Sequence, residues 1–75
     1  MLSHSYRKSL FRKALREARQ GADLRQVDVA ASLKKPQSYV AKVENGERQL
    51  DFIETLEYCE AIGLDAHELV TLLGN

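Results

Sequence analysis

The fold is decided by Gln26-Val27-Asp28-Val29-Ala30-Ala31-Ser32-Leu33, the break Lys34-Lys35, and Pro36-Gln37-Ser38-Tyr39-Val40-Ala41-Lys42-Val43-Glu44-Asn45-Gly46. In the first run Val29, Ala30 and Leu33 recur at helical spacing and form one inward face. Pro36 cannot sit inside a helix but starts one well, so the second run predicts a helix over 36–44. Asn45-Gly46 then supplies residues that readily take positive φ. Within this helix Val40 and Val43 point inward, which leaves Gln37, Ser38, Tyr39, Ala41 and Lys42 outside. Ala30 is small where the two helices must cross closely. A helix packed steeply on its predecessor in this way can project into a groove about 12 Å wide.

Working outward, Leu10, Phe11, Ala14, Leu15 and Ala18 form the apolar stripe of a first helix over about 5–20, ended by Gly21-Ala22-Asp23. The second helix covers about 24–33. Asp23 either opens it, with Gln26 in the spacing of a capping box, or closes the first helix in a left-handed conformation. Asp51 with Glu54 three residues later is a capping box that starts a fourth helix, with Phe52, Leu56, Cys59 and Ile62 facing inward and Gly63 as the stop. Asp65 with Glu68 repeats the box and opens a short fifth helix through Leu69, Val70, Leu72 and Leu73. No stretch alternates with the period of a strand. The expectation is an all-α, five-helix domain spanning residues 1–75, with the two decisive helices at about 25–44.

Seventy-five residues suit one small domain. No apolar run reaches the roughly 20 residues of a membrane helix, and Met1 to Lys8 lack the apolar centre of a signal peptide. The single cysteine, Cys59, cannot form an internal disulfide, and a cytoplasmic location is expected. Net charge is zero, but all 11 Lys and Arg lie in residues 1–48 beside five acids. Residues 49–75 hold six acids and neither Lys nor Arg. The two parts therefore carry +6 and −6, and a basic face of that kind suits a polyanion partner.

Taken together, Gln26 to Leu33, Pro36 to Gly46, Leu15-Arg16 with Arg19 seven residues before Gln26, and Leu64-Asp65 before the last helix resemble the Xre or Cro/phage-repressor helix-turn-helix family. The resemblance covers about residues 10–73. It implies a lambda-repressor-like fold and a sequence-specific regulator of transcription, a repressor, that reads the major groove with helix 36–44. Gln26 would cap the second helix and bond a phosphate. Gln37, Ser38, Tyr39 and Lys42 would face base edges or flanking phosphates, and Asn45 and Arg48 would meet the backbone. Arg19 and Glu44 match a structural ion pair of the family. Side-chain chemistry agrees: Gln pairs bidentately with adenine, Lys donates to guanine, and Tyr contacts a thymine methyl or a phosphate.

Three positions depart from the family pattern. Lys34 stands where glycine is usual in the turn and should take positive φ at a cost on the order of 1 kcal/mol. Lys35 stands where an aliphatic residue is usual, so its side chain should reach outward and become available to phosphate. Arg25 replaces the usual Ser or Thr cap.

The implied partners are double-stranded DNA carrying a palindromic operator and a second copy of the chain, since one recognition helix reads too few base pairs to be specific. The dimer contact is expected within residues 50–75, from Leu69, Val70, Leu72 and Leu73, extended by Leu64 and Ile53. In a bacterial or phage setting the same fold also serves as a protein-interaction module, such as an antitoxin with a protein partner. Neither an enzyme nor a cofactor is expected: phosphate loops, nucleophile elbows and paired carboxylates are missing from the pattern. His4 and His67 lie far apart without ligand spacing. Cys59, Tyr6 and Tyr58 read as packing residues.

Overall fold

The computed structural model describes residues 2–74. Five helices follow in order: α1 His4–Gly21, α2 Gln26–Leu33, α3 Gln37–Glu44, α4 Phe52–Ile62 and α5 Ala66–Gly74. No strand occurs among the described residues, and the all-α expectation holds. Helix α1 packs against α3, α4 and α5, while α2 packs against α3 and α4. One core results, built from Leu15, Val29, Ala30, Val40, Val43, Tyr58, Cys59, Ile62 and Leu69.

Helices α1 to α4 end in the same manner. A left-handed residue follows each helix: Asp23 (φ 58), Lys34 (φ 57), Gly46 (φ 87) and Gly63 (φ 71). The next amide then closes back onto a carbonyl five residues earlier: Leu24 to Arg19, Lys35 to Ala30, Glu47 to Lys42 and Leu64 to Cys59, at 2.8–3.1 Å. This satisfies carbonyls that the helix leaves unpaired, and it favours an apolar residue that folds back onto the core. Leu24 and Leu64 do so. Lys35 occupies the equivalent place after α2 and cannot, which is the structural consequence of its replacing an aliphatic residue. Leu64 is therefore partly buried against the core, which leaves less of it for the outer patch expected from the sequence.

Asp23 thus closes α1 and does not open α2, and α2 starts at Gln26 with Arg25 as its N-cap residue. A cap oxygen is absent from arginine, and Asp28 compensates. Its carboxylate accepts the Arg25 backbone N–H at 2.8 Å and the guanidinium at 3.0 and 3.1 Å. The Arg25 side chain first, and its backbone N–H second, hold the Asp28 carboxyl below its ordinary range. That contribution to stability is present above the ordinary carboxylate pKa and fades as pH falls through the lowered one.

At α4 the Asp51–Glu54 capping box forms as expected, at 2.9 and 2.7 Å. The inward face is rotated from the expected one, however. Cys59 and Ile62 are buried, but Phe52 is 71% exposed and Leu56 only half-buried, while Tyr58 is fully enclosed. Thr55, half-buried, satisfies its hydroxyl locally by donating to the Asp51 carbonyl at 2.7 Å. Tyr58 shares the inner side with Cys59 and Ile62, its hydroxyl buried without a hydrogen-bond partner among the described residues, and Phe52 is left on the rim. Burial pushes the Cys59 thiol up, in keeping with a packing role. The second box is altered too: the Asp65 carboxylate takes the His67 N–H at 2.9 Å.

Lysine at a left-handed position costs more than glycine would. Lys34→Gly is expected to stabilise the fold by about 0.5–1 kcal/mol in a urea titration, because glycine removes the Cβ crowding at φ 57. An unchanged midpoint would show that the turn is not strained.

Candidate nucleic-acid interface

The site rests on a buried ion pair. Arg19, near the end of α1, sends Nε to Glu44 Oε2 at 2.6 Å and Nη2 to Oε1 at 3.1 Å. Its Nη1 donates to the Leu24 carbonyl at 2.8 Å, so one guanidinium ties α1, the α1–α2 turn and the last residue of α3 together. The side chains are only 11% and 6% exposed. The pair expected from the resemblance is therefore present and two-pronged. Tyr58 is buried close by. Burial pushes its phenol well above the ordinary range, and the Glu44 carboxylate adds to the effect.

A hydrogen-bonded chain leads from this pair to the outer surface. Gln26 Nε2 donates to Glu44 Oε1 at 3.1 Å, and Gln37 Nε2 donates to Gln26 Oε1 at 3.4 Å. Gln26 thus does not cap α2 as expected; it is the first helical residue, and its amide orientation is set by Glu44. Gln37 stands at the start of α3, exposed. With one N–H given to Gln26, its amide keeps an oxygen acceptor and a second N–H donor. That is the complement of the adenine edge in a major groove.

Ser38 and Lys42 are exposed on α3, as helical phasing predicts, and Val40, Val43 and Glu44 are buried behind them. Tyr39 differs from expectation. It is half-buried and packs against the core, so only part of it reaches solvent. Lys35 Nζ and the Arg48 guanidinium each stand 5.4 Å from its ring centre, which brings two of the expected cations to one aromatic ring. Burial raises the Tyr39 phenol, and Glu54 adds to this.

The segment after α3 is organised by its own bonds. Asn45 Oδ1 accepts the Glu47 N–H at 3.3 Å. Arg48 donates to the Gln49 carbonyl at 2.5 Å and to Glu54 Oε2 at 2.8 Å. Glu54 therefore both caps α4 and holds Arg48, a link that the capping pattern alone did not reveal. Beside it, Glu54, Glu57 and Glu60 line one wall of an open groove of about 560 Å³, and Lys34, Lys35 and Tyr39 line the other. The basic and acidic parts of the sequence thus meet along this line.

A family model for the helix-turn-helix domain matches residues 10–72. Among solved structures, an XRE-family-like protein from Pseudomonas syringae pv. tomato str. DC3000 superposes with a TM-score of 0.89 at 42% identity. That alignment covers 95% of this chain and 87% of the other. No curated protein matches the chain. Fold, ion pair, turn geometry and both comparisons agree: the chain belongs to the Xre-type helix-turn-helix family.

Proposed function

We propose that the protein is a non-catalytic, DNA-associated regulator of transcription, a repressor, that lays α3 in the major groove of double-stranded DNA. The observation that carries this reading is the chain Arg19–Glu44–Gln26–Gln37, which presents one amide, pre-oriented, from an exposed helix. Gln37 reads a base edge, with Ser38 and Lys42 beside it. Gln26, through its remaining N–H, and Asn45 meet phosphates. Lys35 and Arg48 flank Tyr39 and bring two cations to the same strand. Phosphate contacts fix the register, and base contacts carry the sequence information.

The protein acts as a homodimer on a palindromic operator. Helix α5 turns Leu69 inward and leaves Val70 62% and Leu72 41% exposed, and Phe52 and Ile53 are exposed on α4. These apolar side chains lie in the part of the sequence that holds neither Lys nor Arg, and Val70 and Leu72 on α5 suit a protein–protein contact, whereas Ile53 adjoins Glu54, which holds Arg48. A protein partner on the same residues, as in an antitoxin, is the second reading, favoured by the same exposed apolar side chains.

Binding titrations on a selected duplex and on random DNA test the groove assignment. Gln37→Ala is expected to lose about 1–3 kcal/mol of discrimination at one base pair while keeping random-DNA affinity. Lys35→Ala is expected to weaken both duplexes alike and to flatten the salt dependence by about one unit of slope. Unchanged affinities for both variants contradict the assignment.

A further inference from the structure

A second basic feature lies on α1, outside the residues that the helix-turn-helix pattern selects. Between the first turns of α1 and the segment after α3 runs a groove of about 180 Å³, lined by Lys8, Phe11, Arg12, Val43, Gly46, Arg48, Gln49 and Leu50. Three of these residues are cations and none is an acid. Lys8 and Arg12 stand one helical turn apart on the same side of α1, and neither pairs with a carboxylate among the described residues. The Arg12 guanidinium rests directly against Gly46: a Cβ there would come within 3.1 Å of its Cζ and 3.2 Å of its Nε and Nη1. Gly46 thus serves two ends, the left-handed turn (φ 87) and the close approach of a cation to the end of α3. On the opposite wall Arg48 has its Nη2 on Glu54 and its Nη1 on the Gln49 carbonyl, which fixes its guanidinium at the rim.

Cations brought together at the end of a groove-reading helix, with no internal counter-charge on two of them, call for an anion from outside. We propose that Lys8, Arg12 and Arg48 form a phosphate site for the DNA backbone, which extends the footprint from α3 to the first turns of α1. This site rests on the DNA-binding reading above. Phe11, Val43 and Leu50 form the apolar floor, which lowers the local dielectric and strengthens the attraction. Because the site touches only phosphate, it adds affinity and register without sequence preference.

Fluorescence anisotropy of a labelled duplex over a salt series is the test, with Lys8→Gln, Arg12→Gln and Lys13→Gln compared. Lys13 follows Arg12 directly, is exposed, and lies outside the groove, so it controls for the loss of one charge. Each groove variant is expected to bind about five- to tenfold more weakly and to flatten the double-logarithmic salt slope by about 0.9, whereas Lys13→Gln changes affinity about twofold or less. Lys8 is exposed, so Lys8→Gln carries the result even if Arg12→Gln loses its fold. Equal effects of Lys13→Gln and the groove variants overturn the site and leave the DNA reading standing. A wild-type protein that binds no duplex overturns both. Inorganic phosphate titrated against the Gly46 amide resonance separates the two sources of phosphate. Saturation at low millimolar phosphate, with duplex binding unaffected in the variants, assigns the groove to a free anion and overturns the backbone proposal.

Discussion

Arg19→Ala is expected to destabilise the protein by about 3–5 kcal/mol, because it leaves a buried carboxylate without its cation. Glu44 is 6% exposed, and after the substitution only Gln26 would still donate to it. The Leu24 carbonyl would lose its Nη1 partner as well. For a domain of this size the melting temperature should fall by on the order of 15–30 °C. The double variant Arg19→Met/Glu44→Leu should recover most of that loss, since replacing both partners by apolar groups removes the uncompensated charge. Calorimetry of the three proteins checks the claim. A melting temperature unchanged in Arg19→Ala would show that the pair adds nothing to the fold. The double variant should fold yet discriminate less well among DNA sequences, because the orientation of Gln26 and hence of Gln37 depends on Glu44.

The second large effect concerns the proposed dimer. Val70→Asp/Leu72→Asp is expected to lower operator affinity by about 100-fold or more, since each half-site alone supplies only part of the specific free energy. Both side chains are exposed in the single chain, so thermal stability should stay close to that of the wild type. Added carboxylates on an already acidic part of the chain also sharpen the repulsion between copies. Sedimentation on a palindromic duplex should show two wild-type copies and one copy of the variant. Affinity unaffected by the two aspartates would place the contact elsewhere or remove it.

The decisive helices were legible because their signals are short-range. Pro36 and Gly46 bracket α3, and Val29, Ala30, Val40 and Val43 sit where the pattern puts them. The left-handed Lys34 was legible only through the family resemblance, which puts glycine at that place in the turn. The face of α4 was not, because it depends on a tertiary choice. Tyr58 carries a polar hydroxyl, and its packing beside Arg19 and Glu44, which spacing does not encode, makes it an inner residue. The sequence leaves the start of α2 open between two roles for Asp23, and the structure takes the second, the left-handed close of α1. Asp23 has the chemistry for either role, and the Asp28 carboxylate that serves the Arg25 N–H instead is not singled out by the spacing. In the candidate interface the exposed Gln37, Ser38 and Lys42 follow from helical phase. The Gln26–Gln37 bond, the Tyr39 cation cluster and the Arg48–Glu54 pair depend on how separate segments meet, which spacing does not encode.

Selection of bound duplexes from a random pool, run in parallel with wild type and Gln37→Ala, tests most directly whether α3 reads DNA sequence. The account predicts that wild type enriches one motif of two inverted half-sites about one helical turn apart. Gln37→Ala should enrich the same motif with the preference relaxed at one base pair in each half, an adenine contact by the chemistry of the amide. A pool left without sequence preference by the wild type, or an identical motif from both proteins, would contradict it.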